Sequence, residues 1–154
     1  AHNLNYWRFG DYLGIGAGAH SKLSFADRIV RQVRWKQPRQ YLERVGAGEP
    51  LMEEAAVARD DVGFEFMLNA LRLTDGVPAA LFAERTGHPL SLVARPLAEA
   101  ARRGLVEPNP TWIRPTPLGR RFLNDLMQMF LAAPRDGHRV SVPLVRVEAT
   151  GVER

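Results

Sequence analysis

Cysteine is absent from all 154 residues. That removes disulfides, zinc–thiolate sites, a cysteine nucleophile and any iron–sulfur cluster held by thiolates of this chain alone. Long apolar runs are absent as well. None approaches the roughly 18 residues that a membrane helix needs, and no charged start followed by an apolar core marks a secretory leader. The expectation is a cytoplasmic protein without a membrane span. Lysine is almost missing: Lys22 and Lys36 stand alone, so arginine supplies 19 of the 21 basic side chains. A clustered basic stripe is missing too. Residues 1–62 carry 9 basic and 8 acidic groups, residues 63–131 carry 8 and 6, and residues 132–154 carry 4 and 3. The net charge of +4 is therefore spread over a solvated surface, which argues against a polyanion partner.

The length suits one domain, or one domain with a piece of another, and a chain of this size buries roughly 68–70% of its unfolded surface. Three regions separate on composition. Residues 1–45 are rich in glycine and aromatics, with Tyr6, Trp7, Phe9, Tyr12, Phe25, Trp35 and Tyr41. Gly46-Ala47-Gly48-Glu49-Pro50 reads as a break. Residues 46–131 show helical periodicity with marked stops, and residues 132–154 form a tail. Its alternating Val140, Val142 and Leu144 suggest an edge strand.

In the middle region, Phe64, Met67, Leu68 and Leu71 stand at i, i+3, i+4 and i+7, so a helix with one apolar face is expected from about 60 to 73. Thr74-Asp75-Gly76 ends it. Pro78 suits the first turn of a second helix, which stops at Gly87. A third helix starts near Ser91 or Ala94 and stops at Gly104. Pro96 conflicts with its interior unless it falls in the first turn or kinks the helix. Leu105–Glu107 and Trp112–Arg114 are expected to pair as a short hairpin about Pro108-Asn109-Pro110. Thr116-Pro117 then opens a last helix by a hydroxyl cap and a proline at the first helical position. Its expected stripe is Leu118, Phe122, Leu123, Leu126 and Phe130. This order is that of a winged-helix module, and the fold class is α+β. The third helix offers no Asn or Gln to read adenine, and the wing carries no Lys or Arg. A packing or lid role is favoured over nucleic-acid binding.

Two features near the start invite chemistry. Tyr12 to Ile15 looks like a short buried strand, and Gly14, Gly16 and Gly18 allow close approach of a ligand to the backbone. A tight strand end explains the same glycines. The spacing fits neither a dinucleotide fingerprint nor a phosphate-binding loop. The histidines fall at 2, 20, 88 and 138, with no pair at helical metal-ligand spacing. His88 and His138 read as solvated, and His20 as a residue that lines a pocket or merely neighbours the glycines. His2 precedes Tyr6 and Trp7. An imidazole beside flat aromatics suits ligation of haem iron with the rings packed on the macrocycle, and equally suits a structural aromatic cluster.

The segment HNLNYWRFGDYLGIGAGAHSKL resembles the distal radical SAM domain of the oxygen-independent coproporphyrinogen III oxidase-like family. It is most similar to the HemW-type haem chaperones, whose HNxxYW motif is matched by His2, Asn3, Tyr6 and Trp7. FEFMLNALRLTDGVP, RRGLVEP and IRPTPLGRRFLNDLMQMFL resemble the C-terminal domain of that family. The resemblance covers residues 2–131 and leaves out the tail. It implies a parent with a partial α/β barrel carrying a [4Fe-4S] cluster and S-adenosylmethionine, of which residues 1–45 are the distal end. It implies haem binding at His2, Asn3, Tyr6 and Trp7, with His2 as axial ligand, and transfer to a haem-requiring acceptor protein. It places Gly14, Ile15, Gly16 and Ala17 in the S-adenosylmethionine pocket. The family's CxxxCxxC cluster motif has no counterpart here. With Ala1 at the start, the chain reads as a fragment that performs no radical chemistry alone. A homodimer through the exposed barrel edge is a further expectation, and a coproporphyrinogen oxidase is the alternative parent.

Overall fold

The computed structural model describes residues 2–131. His138 and the strand expected about Val140, Val142 and Leu144 lie outside the described residues.

The chain opens with α1 (His2–Trp7) and then builds an antiparallel sheet in the order β1 (His20–Ser24), β2 (Ile29–Arg34), β3 (Leu51–Ala56). His20 faces Val33 across the first pair, and Val30 faces Ala56 across the second. Helix α2 (Pro38–Gly46) leaves β2, with a proline in its first turn where no intrahelical donor is needed. Gly46–Pro50 returns the chain to β3, so the sheet continues past the break seen in the sequence.

Helix α3 (Arg59–Ala70) forms the centre of the molecule. Its apolar positions predict one buried face, but residues 61–67 are buried on every side, Asp61 and Glu65 included. A helix buried all round needs apolar or paired groups around its whole circumference, and the N-terminal strands supply the second wall. Gly63 belongs to that packing, because a Cβ there would meet the Val93 side chain at 2.9 Å.

The remaining elements are β4 (Val77–Pro78), α4 (Ala80–Thr86), a 3-10 turn at Leu90–Val93, α5 (Ala94–Arg102), β5 (Trp112–Ile113), α6 (Pro117–Arg121) and α7 (Leu123–Gln128). Gly87 and Gly104 take left-handed conformations, φ 70° and 68°, just past α4 and α5, as the stops at these glycines require. Pro96 falls in the first turn of α5, which removes its conflict with the helix. Two expectations change. Pro78 does not start a helix: it lies in β4, opposite Trp112 of β5. The expected hairpin narrows to a bridge between Val106 and Pro115, flanked by bonds from Glu107 N to the Arg114 carbonyl at 2.9 Å and from Thr116 N to the Leu105 carbonyl at 3.0 Å, while β5 pairs with β4.

The last helix also differs. It breaks at Phe122 (φ −109°, ψ 40°) into α6 and α7, which shifts the phase of its stripe. Leu126 and Phe130 reach the core, whereas Leu118 and Phe122 are exposed. The Thr116 cap forms as read: its Oγ1 accepts from Gly119 N at 3.0 Å and donates to the Gly104 carbonyl at 2.6 Å. Gly119 lets the α6 backbone approach the Leu105 carbonyl, where a Cβ would sit 1.9 Å from the oxygen. Thr116→Ala is expected to cost about 1–2 kcal/mol, since a helix cap and a loop tie are lost together. Urea denaturation of the variant checks it, and a change below roughly 0.3 kcal/mol would mean that water replaces both bonds.

Candidate functional site

The geometry of α1 explains the spacing of its polar and aromatic residues. At 3.6 residues per turn, positions 2, 3, 6 and 7 fall within an arc of about 140° on one side of the helix. The two intervening positions, 4 and 5, lie on the other side. Asn5, exposed on that other side, ties the helix to the loop that follows: its Nδ2 donates to the Asp11 carbonyl at 2.7 Å. Gly10 packs on it so closely that a Cβ would lie 2.0 Å from Asn5 Oδ1.

The chain leaves α1 through Phe9, which adopts the left-handed conformation (φ 57°) that a residue with a Cβ rarely takes. Burial offsets that strain. Phe9 is 1% exposed and sets its ring edge-on to Phe66 of α3, centroids 5.8 Å apart. Lys22 of β1 covers the other face of Phe9, 4.1 Å from the ring centre. Its buried ammonium has three acceptors: the Phe9 carbonyl at 3.0 Å, Asp11 Oδ1 at 3.1 Å and Ser24 Oγ at 3.1 Å. Burial pulls the Lys22 pKa below its ordinary value, against the opposing pull of Asp11. Burial alone would raise the Asp11 carboxyl. Hydrogen bonds from Ser24 and the nearby Lys22 more than offset that, so its pKa falls below the ordinary value.

A second anchor starts at Tyr6. Its ring lies tilted against that of Tyr12, centroids 4.3 Å apart. The Tyr12 hydroxyl accepts from Arg31 Nη1 at 2.7 Å, and Arg31 Nη2 pairs with Glu65 of α3 at 2.5 Å. Burial raises the Tyr12 pKa, with Arg31 opposing. The phenol therefore stays protonated at neutral pH.

The motif positions His2, Asn3, Tyr6 and Trp7 are thus gathered on one helix. Gly14, Ile15, Gly16 and Ala17 are elsewhere and are not the buried strand that the apolar run predicts. Only Tyr12 bridges to Lys22 there. Leu13 is 70% and Ile15 87% exposed, and Gly16 and Gly18 turn the chain with φ of 103° and 70°. The loop is tied to the sheet: Gly14 N donates to Ser21 Oγ at 3.0 Å, Arg34 Nε to the Gly14 carbonyl at 2.7 Å, and Gly18 N to the Trp35 carbonyl at 2.8 Å. Gly14 is needed because a Cβ would lie 2.3 Å from the His20 carbonyl oxygen. His20 itself is exposed on β1, and no group of three metal-ligating side chains occurs among the described residues.

Tyr12, Lys22, Arg31 and Glu65 were not marked as site residues by the sequence. One signal was available: Lys22 is one of only two lysines in an arginine-dominated chain, and it lies beside the glycine-rich segment.

Comparison with known proteins places this arrangement. The HemN C-terminal domain family matches residues 57–122. "Heme chaperone HemW" of Haemophilus influenzae is 43% identical over 131 residues, covering 84% of this chain and 33% of that protein. The chain carries a HemN C-terminal domain and is similar to one part of HemW. The Escherichia coli HemW is 39% identical over 132 residues, covering 85% of this chain and 34% of its own length. The HemW similarity therefore runs well beyond the family match at 57–122, while the chain spans about a third of these relatives' length. The solved Escherichia coli coproporphyrinogen III oxidase HemN, described as a radical SAM enzyme, matches in fold. Its TM-score is 0.54 at 23% identity, covering 79% of this chain and 28% of that one. No helix among the described residues is long and apolar enough to cross a membrane.

Proposed function

We propose that this chain is the C-terminal part of a cytoplasmic haem chaperone, with haem as its cargo and a haem-requiring protein as the recipient. The observation that carries the reading is the gathering of positions 2, 3, 6 and 7 on one side of α1. Tyr6 and Trp7, two half-buried flat rings, share that arc with position 2, which makes His2 the candidate axial ligand for a planar macrocycle. Similarity to the heme chaperone HemW of two bacteria supports it. The residues present do not fit a [4Fe-4S] cluster, because the sequence holds no cysteine. In the intact protein the cluster and S-adenosylmethionine belong to upstream residues, with the open Gly14–Ala17 backbone as the part of this chain offered to S-adenosylmethionine.

Residues 46–131 serve in this reading as a winged-helix-like packing or lid domain. The groove between α5 and the Pro108–Pro110 turn, about 320 Å³, is lined by Leu90, Ala94, Leu97, Val106 and Trp112, with no Lys or Arg. Such a lining suits an apolar neighbour rather than a phosphate backbone. No observation favours the oxidase over the chaperone.

Hemin titration of the full-length protein tests the proposal. A Soret shift is expected, with affinity at least about tenfold weaker in His2→Ala, equivalent to about 1.4 kcal/mol. An unchanged spectrum and affinity in that variant would remove His2 as ligand.

A further inference from the structure

Two anchors hold α1, and the second, a ring contact followed by two hydrogen bonds, runs from it to the central helix. It runs from Tyr6 on the motif side of α1, through the Tyr12 ring and hydroxyl, to Arg31 of β2 and on to Glu65 of α3. Three of these four groups are linked by a single guanidinium. Arg31 directs Nη1 to the phenol and Nη2 to the carboxylate, which only a planar fork can do in one fixed geometry. Glu65 lies in the central helix with its side chain 9% exposed. The carboxylate therefore depends on Arg31 for its counter-charge, and Arg31 depends on it for its orientation.

Tyr12 sits between the two. Its ring meets Tyr6 at an interplanar angle of 43°, and the hydroxyl bond to Arg31 fixes how far that ring can slide or tilt. Tyr6 in turn neighbours Trp7 within the motif arc of α1. Arg31, more than twenty residues away in sequence, thus ends a chain of contacts that begins on that arc.

We propose that Arg31 is a positioning residue: by gripping Tyr12 and Glu65 at once, it fixes the motif side of α1 relative to the C-terminal helical domain. This assignment rests on the haem reading for its purpose, but not for its geometry. Arg31 does not touch the cargo site directly; it acts through the Tyr12–Tyr6 ring pair.

The test has one arm without haem and one with it. This part of the protein contains Trp7, Trp35 and Trp112, and single Trp→Phe variants assign their signals in fluorine NMR of the fluorotryptophan-labelled full-length protein. Tyr12→Phe keeps the ring and removes only the hydroxyl, which makes loss of folding an improbable outcome. It is expected to shift or broaden the Trp7 signal and leave Trp112 in place. Arg31→Lys keeps a cation for Glu65 but lacks the fork, and is expected to reproduce the Tyr12→Phe spectrum rather than restore the parent's. The double variant is expected to add nothing to either single change. A Trp7 signal unmoved by both substitutions, or one that moves only together with Trp112, would overturn the proposal.

In the second arm, hemin affinity of the full-length protein is expected to fall three- to tenfold in Tyr12→Phe and Arg31→Lys. Unchanged affinity in both, with binding still lost in His2→Ala, would overturn the positioning role and leave the haem reading intact. A Trp7 response in a parent protein that binds no hemin would support Arg31 as the residue that positions α1 and overturn the haem reading alone.

Discussion

Phe66→Ala is expected to lower the unfolding free energy by about 3–5 kcal/mol, the range for truncating a large aromatic in a core that cannot collapse. Phe66 has no exposed surface and stands at the middle of a ring series. Phe9 approaches it at 5.8 Å with an interplanar angle of 68°, and Phe82 at 5.0 Å with 73°. Each such edge-to-face contact adds about 0.5–1.5 kcal/mol beyond area burial. The void would open between α1, α3 and α4, and α3 is enclosed on all sides, so no neighbour is free to move in. The loss also reaches the strained turn after α1, since Phe9 holds its left-handed backbone only while its ring is buried. Urea denaturation followed by far-ultraviolet circular dichroism measures the change. A loss below roughly 1 kcal/mol would show that the pocket refills and that the ring series carries little stability.

Lys22→Ala is expected to cost about 3 kcal/mol, the low end of the range for breaking a buried ion pair, because Asp11 is half-exposed and rehydrates. The substitution leaves the buried Phe9 carbonyl without its donor and removes the cation from the Phe9 ring. The same cluster shapes the dependence on pH. The Asp11 pKa in the folded chain lies below its ordinary 3.8. Its carboxylate therefore stabilises the fold above that value, and the contribution is lost as pH falls through the lower, folded value. The Lys22 pKa lies below its ordinary 10.5. Here the unfolded chain holds the proton more tightly, so stability rises as pH climbs from the folded value toward 10.5. Thermal unfolding across pH is expected to show a weakened acid limb in Asp11→Asn and a missing alkaline rise in Lys22→Ala. Profiles parallel to the parent's in both variants would sink this account.

How much of this was legible in the sequence depends on whether a signal was local. Gly87, Gly104 and Thr116-Pro117 act through their own backbone or their nearest neighbours, and each stops or starts a helix where its chemistry says. The spacing of HNxxYW is likewise local, since helical geometry alone gathers its fixed positions. Tyr12-Leu13-Gly14-Ile15 shows the limit. Its apolar content suggests burial, but the turn imposed by Gly16 and Gly18 carries Leu13 and Ile15 outward. Leu118 and Phe122 fail for another reason: one non-helical residue breaks the period on which their burial was read. Arg31 and Glu65 were out of reach, because 34 residues separate them and only the sheet's packing on α3 joins them.

The left-handed turn at Phe9 bears on how this module can be inherited. Sequence comparison sets the family domain at residues 57–122, yet its central helix borrows a ring from Phe9 and a counter-charge from Arg31. Cut at Val57, the domain would lose one wall of its core and leave Glu65 without its partner Arg31. The unit that can be moved from one parent to another is therefore larger than the unit that sequence comparison recognises. A transplanted unit that keeps this core is expected to include the strands and the short helix that bears the HNxxYW motif.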